Sequence, residues 1–475
     1  MLKGSLLNFW LFLSFGLGII LSVYLNSFLT LLILSLVSII LALIFYKKQR
    51  FLISDLFILI LFISLGALSY ISRQYHKIDS FLNEENIYTI KVISLPQEHH
   101  LKNTFLSEIK KVNGISVTQT VKAMDHTKAM AYLNIYELKA KLTKNQYQNR
   151  DFYALWVKSQ VLPKELPQNI WDRFTKKVSY NLINIFKSNL TDESYRFLSS
   201  VSLGRRELLE KEEKDIFRDA GISHLLAISG SNISLVAVVL FFILKLFSVR
   251  FRPRLFVSFI FLFIYTIIAG ANPPVLRATI MYLVFALGYF AKRKVNPYNS
   301  LGLAGLVCLL INPSWLFDVG FQLSFLSIFA LIVGFKAFAV QPSKIVFINY
   351  LKYLFLSSFF VTLFITPLVS YYFGRIYILS IFNNIILIPF FSLILVINFL
   401  LIVFSPFKLI AESIGAVLSL LIPLFYKLSD FLGSIKFSFI VWKFNLLSII
   451  LYYFILVITI SYWRYHKKSW LHANY

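Results

Sequence analysis

The chain has 475 residues, of which 58% are hydrophobic and only 15% charged. No soluble domain hides that much apolar surface, so a large globular enzyme is excluded as the bulk of the molecule. The formal net charge of +25, from 47 Lys plus Arg against 22 Asp plus Glu, suits an anionic partner without identifying one.

Runs at 5–25, 27–46 and 54–72 each match the roughly 20 residues that a helix needs to cross a bilayer. The first carries no small-x-small cleavage site, so it reads as an anchor and not as a cleaved signal. Lys47-Lys48-Gln49-Arg50 sits between the second and third runs. The excess of cations in cytoplasmic loops places this cluster and the N-terminus inside, and the third helix exits to the far side.

Residues 75–170 change character. IYTIKVISL, TQTVKAM, AMAYLNIYELKAKL and FYALWVKSQVL alternate as half-buried strands do. A small extracytoplasmic barrel of the oligonucleotide-binding (OB) type fits, and a plain β-rich spacer fits as well. Residues 170–215 mix apolar and charged residues at helical spacing, and are expected to lie at the membrane surface or to bridge to the β-rich region.

Membrane segments are then predicted near 222–247, 254–270, 274–291, 299–312, 315–335, 349–373, 376–404, 409–428 and 437–462. The shortest, 299–312, reads as a half-helix or part of a re-entrant pair. The predicted class is a polytopic α-helical membrane protein of about 11 to 12 segments. Its parts are N-terminal helices at 1–73, an OB-like domain at 74–170, interfacial helices at 171–217, a transmembrane domain at 218–465 and a short basic cytoplasmic tail at 466–475.

Some chemistries are absent from the pattern. Cys308 is the single cysteine, so no intramolecular disulfide forms. The seven histidines show no HxH or HExxH spacing, and no GxxxxGK[ST] loop occurs. No metal, cofactor or built-in ATPase is expected.

Three polar groups break the apolar pattern. HLLAISGSNISL, His224 to Leu235, opens a hydrophobic segment. Ser229, Gly230 and Ser231 suit close helix packing. His224 and Asn232, eight residues apart, are expected near one face of the same helix, looking into a wet cavity. The second group is Arg277, one turn into a helix that starts at Pro273-Pro274, where the helix dipole disfavours a cation. After residue 217 the only acidic residues are Asp219, Asp318, Glu412 and Asp430. An Arg277–Asp318 ion pair is therefore the economical structural expectation, and an arginine facing an anion is the functional alternative. Third, Thr366-Pro367, Gly374-Arg375, Asn383-Asn384 and Pro389 interrupt otherwise smooth helices. The candidate substrate path comprises His224, Ser229, Gly230, Ser231, Asn232, Arg277, Gln322, Ser324, Arg375 and Asn384.

SLGRREL, FRDAGISHLLAISGSNISL, NPPVLRATIMY, NPSWLFDVGFQLSFLSIFAL and YFGRIYILSIFNNIILIPF follow one another in that order and cover most of 199–390. In these motifs the chain resembles the ComEC competence family of bacterial DNA-uptake channels. The resemblance implies passage of single-stranded DNA through the inner membrane to the cytoplasm, while the basic clusters at 47–50, 250–254, 292–294 and 464–468 are what place both termini in the cytoplasm. It also implies a periplasmic DNA receptor, a separate nuclease and a cytoplasmic ATPase or helicase as partners. Two departures stand out. Ser229-Gly230-Ser231-Asn232 replaces the family's usual Ser-Gly-Leu-His, and the metallo-β-lactamase-like domain that many members carry at the C-terminus is not expected here.

Two other functions fit part of the pattern. A secondary transporter or polymer exporter for another anionic substrate would share broken helices and a buried arginine. An intramembrane serine hydrolase would need a base near Ser229 or Ser231, and His224 is the sole histidine in reach; no catalytic residue is therefore assigned.

Overall fold

A computed structural model describes residues 6–23, 28–47, 51–74, 81–92, 97–99, 102–113, 115–125, 135–147, 150–163, 170–226, 230–269, 273–337, 345–435 and 438–473. Helices α1 (Leu7–Ser22), α2 (Phe28–Lys47) and α3 (Phe51–Gln74) open the chain. Glycines set their spacing. A Cβ on Gly18 of α1 would strike the Ile63 carbonyl of α3, and one on Gly66 of α3 would strike the Phe15 carbonyl of α1. Backbones approach this closely only where both helices lack side chains, which is how helices gain packing energy in lipid.

Six strands follow: β1 (Glu85–Val92), β2 (Gln97–His99), β3 (Lys102–Val112), β4 (Ile115–Asp125), β5 (Ile135–Tyr147) and β6 (Arg150–Pro163). Their order is β1-β5-β6-β4-β3-β2, and β1 also pairs with β3. The five long strands thus close on themselves. All their pairings are antiparallel except β4 with β6, where Lys122 opposes Ala154. Numbered by themselves they run 1-2-3-5-4-1, the closed Greek-key order of an OB-type barrel. Its interior is filled by Tyr88, Ile90, Val92, Ile109, Leu138, Leu142 and Leu155, all fully buried. β3 is not among the stretches quoted from the sequence. A bulge between Ile109 and Lys111 shifts its register, so its inward residues do not alternate over the whole length.

The next three helices are α4 (Ile170–Asn189), α5 (Asp192–Leu203) and α6 (Lys211–Asp219). α4 buries one stripe: Thr175, Ser179, Ile183 and Phe186. In α5, Phe197, Leu198, Ser199, Ser200, Val201, Ser202 and Leu203 are all buried. Phe197 stacks on Phe217 of α6 with ring centroids 5.8 Å apart, and both rings meet Phe425. α5 is thus part of a core, in which four of its serines are buried.

The remaining helices are α7 (Gly230–Leu246), α8 (Phe251–Ile268), α9 (Pro273–Phe290), α10 (Pro297–Ile311), α11 (Val319–Ala337), α12 (Val346–Phe373), α13 (Ser380–Phe404), α14 (Lys408–Ser434) and α15 (Leu446–Ala473). Among the described residues eight helices are long and apolar enough to cross a membrane, and α1, α10 and parts of α7 and α15 are shorter apolar helices. The protein is a polytopic helical membrane protein with an inserted β-barrel. Four predicted segments begin differently. A 3₁₀ turn, Ser223–Leu226, precedes α7, and another, Pro313–Phe317, precedes α11. Two short strands, β7 (Arg375–Tyr377) and β8 (Phe439–Val441), pair antiparallel ahead of α13 and α15. α15 runs on to Ala473, so the expected tail is largely helical.

Candidate functional site

Local signals in the sequence place three helix starts. α7 begins at Gly230, after residues 227–229, which lie outside the described part. Ser234 Oγ donates to the Gly230 carbonyl at 2.7 Å and so ties its side chain into the first turn. α9 begins at Pro273-Pro274, whose missing N–H groups cost nothing at a helix start. α11 is capped by Asp318, whose Oδ1 accepts from the Phe321 N–H at 2.8 Å.

Arg277, one turn into α9, is 6% exposed. Its Nε donates to Ser324 Oγ of α11 at 3.0 Å, and its Cζ stands 5.9 Å from the Phe325 ring centroid. A Cβ on Gly230 would lie 2.5 Å from Arg277 Nη2 and 3.1 Å from the Pro274 carbonyl oxygen. Gly230, Arg277 and Ser324 therefore meet at one point. The expected Arg277–Asp318 ion pair does not form. Asp318 is exposed and spends its carboxylate on capping α11, while Arg277 takes a hydroxyl and a ring instead.

Gln322 lies on the same first turns of α11. Its Nε2 donates to the Leu316 carbonyl at 2.9 Å, and its Oε1 accepts from the Tyr372 hydroxyl of α12 at 3.0 Å. Asn232 is buried at 5% exposure within α7. His224 is exposed and sits in the 3₁₀ turn, so it does not share a helix face with Asn232 as the spacing suggested. His224 belongs to the 3₁₀ turn Ser223–Leu226 and Asn232 to α7, so helical periodicity cannot be counted from one to the other. Ser229 lies outside the described residues, as does the side chain of Ser231.

The other two predicted residues make separate contacts. Asn384 of α13 is buried and donates to Ser358 Oγ of α12 at 3.0 Å, with no partner for its own carbonyl oxygen. Arg375 of β7 pairs through Nη1 with Asp219 Oδ1 at 2.5 Å, and its Cζ lies 4.0 Å from the Phe439 ring centroid of β8. Asn383 donates to the Ala220 carbonyl at 2.9 Å, and Ser438 Oγ to the Asp219 carbonyl at 3.4 Å. Burial raises the pKa of the Tyr377 phenol, while Arg375 beside it pulls the other way. Residues 219–220, just ahead of the His224 turn, are thus anchored by α13 and the β7–β8 ribbon. Sequence reasoning missed this anchor. Its signal was present in the scarcity of acids: Asp219 is one of four after residue 217.

The family model described as "Competence protein" matches residues 201–466, more than half of the chain. The chain belongs to the Competence protein family. The family match spans every helix that supplies the Arg277 cluster and the Asp219–Arg375 anchor. ComE operon protein 3 of Bacillus subtilis (strain 168) is 30% identical over 212 residues, which is 45% of this chain and 26% of that protein. An uncharacterised protein of Aquifex aeolicus (strain VF5) is 28% identical over 176 residues, 36% of this chain and 41% of that one. Recombination protein 2 of Haemophilus influenzae (strain ATCC 51907 / DSM 11121 / KW20 / Rd) is 28% identical over 222 residues, 44% of this chain and 28% of that one. The chain spans less than half the length of each of these relatives. No solved structure matches it.

Proposed function

We propose that this chain passes single-stranded DNA through the bacterial inner membrane into the cytoplasm during natural transformation. The observation that carries this reading is the Competence family match over 201–466, the range in which α7, α9 and α11 bring their polar groups together. Electrostatics supports it. A single strand carries one negative charge per nucleotide, so its path must avoid fixed anions and offer donors in place of water. Of the four acids after residue 217, Asp219 is neutralised by Arg375 and Asp318 caps a helix.

In this reading the barrel lies outside the cytoplasm and both termini lie inside, as the basic clusters at 250–254 and 292–294 require. α7 and α9 then start at the outer face, and so do α11 and the β7–β8 ribbon. An OB-type barrel suits reception of a strand, since such barrels present aromatic and basic residues to single-stranded nucleic acid. The chain acts as a conduit. A periplasmic receptor, a separate nuclease and a cytoplasmic ATPase or helicase complete the process.

The test is uptake of labelled DNA, scored with transformation frequency, in a clean deletion strain with and without this chain restored. Loss on deletion and recovery on complementation are expected. Undiminished uptake in the deletion strain would overturn the reading.

A further inference from the structure

Arg277 is buried without a counter-ion. Among the described residues no carboxylate lies within ion-pair distance. Nε is spent on Ser324 Oγ. Among the described residues neither Nη atom takes a hydrogen bond.

The surroundings add positive potential where a structural arginine would need negative. α7 has 17 residues and starts at Gly230; α9 has 18 and starts at Pro273. Both N-termini meet beside Nη2, since the Gly230 Cβ position lies 2.5 Å from Nη2 and 3.3 Å from Ala278 Cβ. Each helix start contributes roughly half a positive charge, so with the guanidinium the point carries about two. Leaving one buried cation unpaired is costly, and intramembrane cations that persist face a substrate or ion path. The missing component is an anion.

We propose that Arg277, together with the N-terminal ends of α7 and α9, is a phosphodiester site that holds one backbone phosphate of the passing strand at a time. The proposal rests on the DNA-transport reading and adds its contact point. Ser324 is a positioning residue: by taking Nε it turns the two Nη atoms away from α11 and leaves them free as a fork for phosphate oxygens. A single cation binds one phosphate without trapping the polymer, which conduction requires. A phospholipid headgroup offers the same phosphodiester chemistry, so the experiment must separate the two sources.

The full chain is reconstituted in nanodiscs of zwitterionic phosphatidylcholine, and binding of a fluorescent oligothymidine is measured against salt concentration. One lost phosphate contact lowers the slope of log affinity against log salt by about 0.7, whatever the barrel contributes. Arg277→Met is expected to lose that increment and to bind at least tenfold more weakly at low salt. Arg277→Lys keeps the charge and should retain the slope. Without DNA, Arg277→Met should melt at or above the wild-type temperature, because it removes an uncompensated buried cation; a structural arginine would instead lower the melting temperature.

An unchanged slope in Arg277→Met, or a slope lost equally in Arg277→Lys, overturns the proposal. So does a lower melting temperature in Arg277→Met without a change in slope. If anionic phosphatidylglycerol raises the melting temperature of wild type but not of Arg277→Met, while the DNA slopes agree, the occupant is a lipid headgroup and the strand assignment falls. In cells, normal uptake with Arg277→Met where the deletion abolishes it sinks this site and spares the transport reading. Uptake indifferent to the deletion sinks the transport reading itself.

Discussion

Gly230 is the position where a single methyl group should be felt most directly. Its Cβ would lie 2.5 Å from Arg277 Nη2, whereas heavy atoms settle at about 3.5 Å, so the guanidinium must retreat by about 1 Å. The Nε–Ser324 hydrogen bond is 3.0 Å long and does not survive a shift of that size in a planar group held at its other edge. A charge-assisted bond of this kind is worth about 1.5–3 kcal/mol, and Gly230→Ala is expected to cost that much. Gly230→Leu adds overpacking of about 1–3 kcal/mol against Pro274 and Ala278. The assay is denaturant or thermal melting of the detergent-purified chain, in a double-mutant cycle with Ser324→Ala. Ser324→Ala removes the same bond, so adding Gly230→Ala on that background should cost no more than about 0.5 kcal/mol. Full additivity of the two changes would refute the mechanism, because the methyl would then act elsewhere. Gly230→Leu should also abolish DNA uptake at normal abundance, and wild-type uptake in that variant would remove Gly230 from the path.

Three further outcomes are expected. Asp219→Asn and Arg375→Met should couple by about 1 kcal/mol in a double-mutant cycle, since both side chains are partly exposed at 38% and 21%. A coupling indistinguishable from zero would mean the anchor rests on the Asn383 and Ser438 bonds alone. Asp318→Ala should cost about 1 kcal/mol, the worth of a helix cap, and Arg277→Met should not rescue it. Rescue would restore the ion pair that the structure lacks. Alkaline phosphatase fused near residue 120 should be active and fused after residue 475 inactive; the reverse pattern would overturn the orientation and the transport direction.

Membrane class and the barrel were legible in the amino-acid sequence because each depends on local periodicity. Lipid demands about 20 apolar residues wherever a helix crosses, and a barrel strand must alternate wherever it faces a core. The motif series in 199–390 was likewise readable, since it consists of contiguous residues. The breaks were harder. Residues 222–247 read as one apolar segment, yet hydropathy does not register the 3₁₀ turn at Ser223–Leu226 that takes His224 off the helix. Partner choice was beyond reach. Arg277 and Asp318 are the obvious couple by charge, but which groups meet is set by how α9 packs on α7 and α11, and there Ser324 arrives while Asp318 turns to cap its own helix. Arg375 found its carboxylate 156 residues away at Asp219. Charge scarcity in the sequence shows that each buried cation must be satisfied or left waiting, and only the packing of the helices decides which arginine is paired and which is left open to an anion.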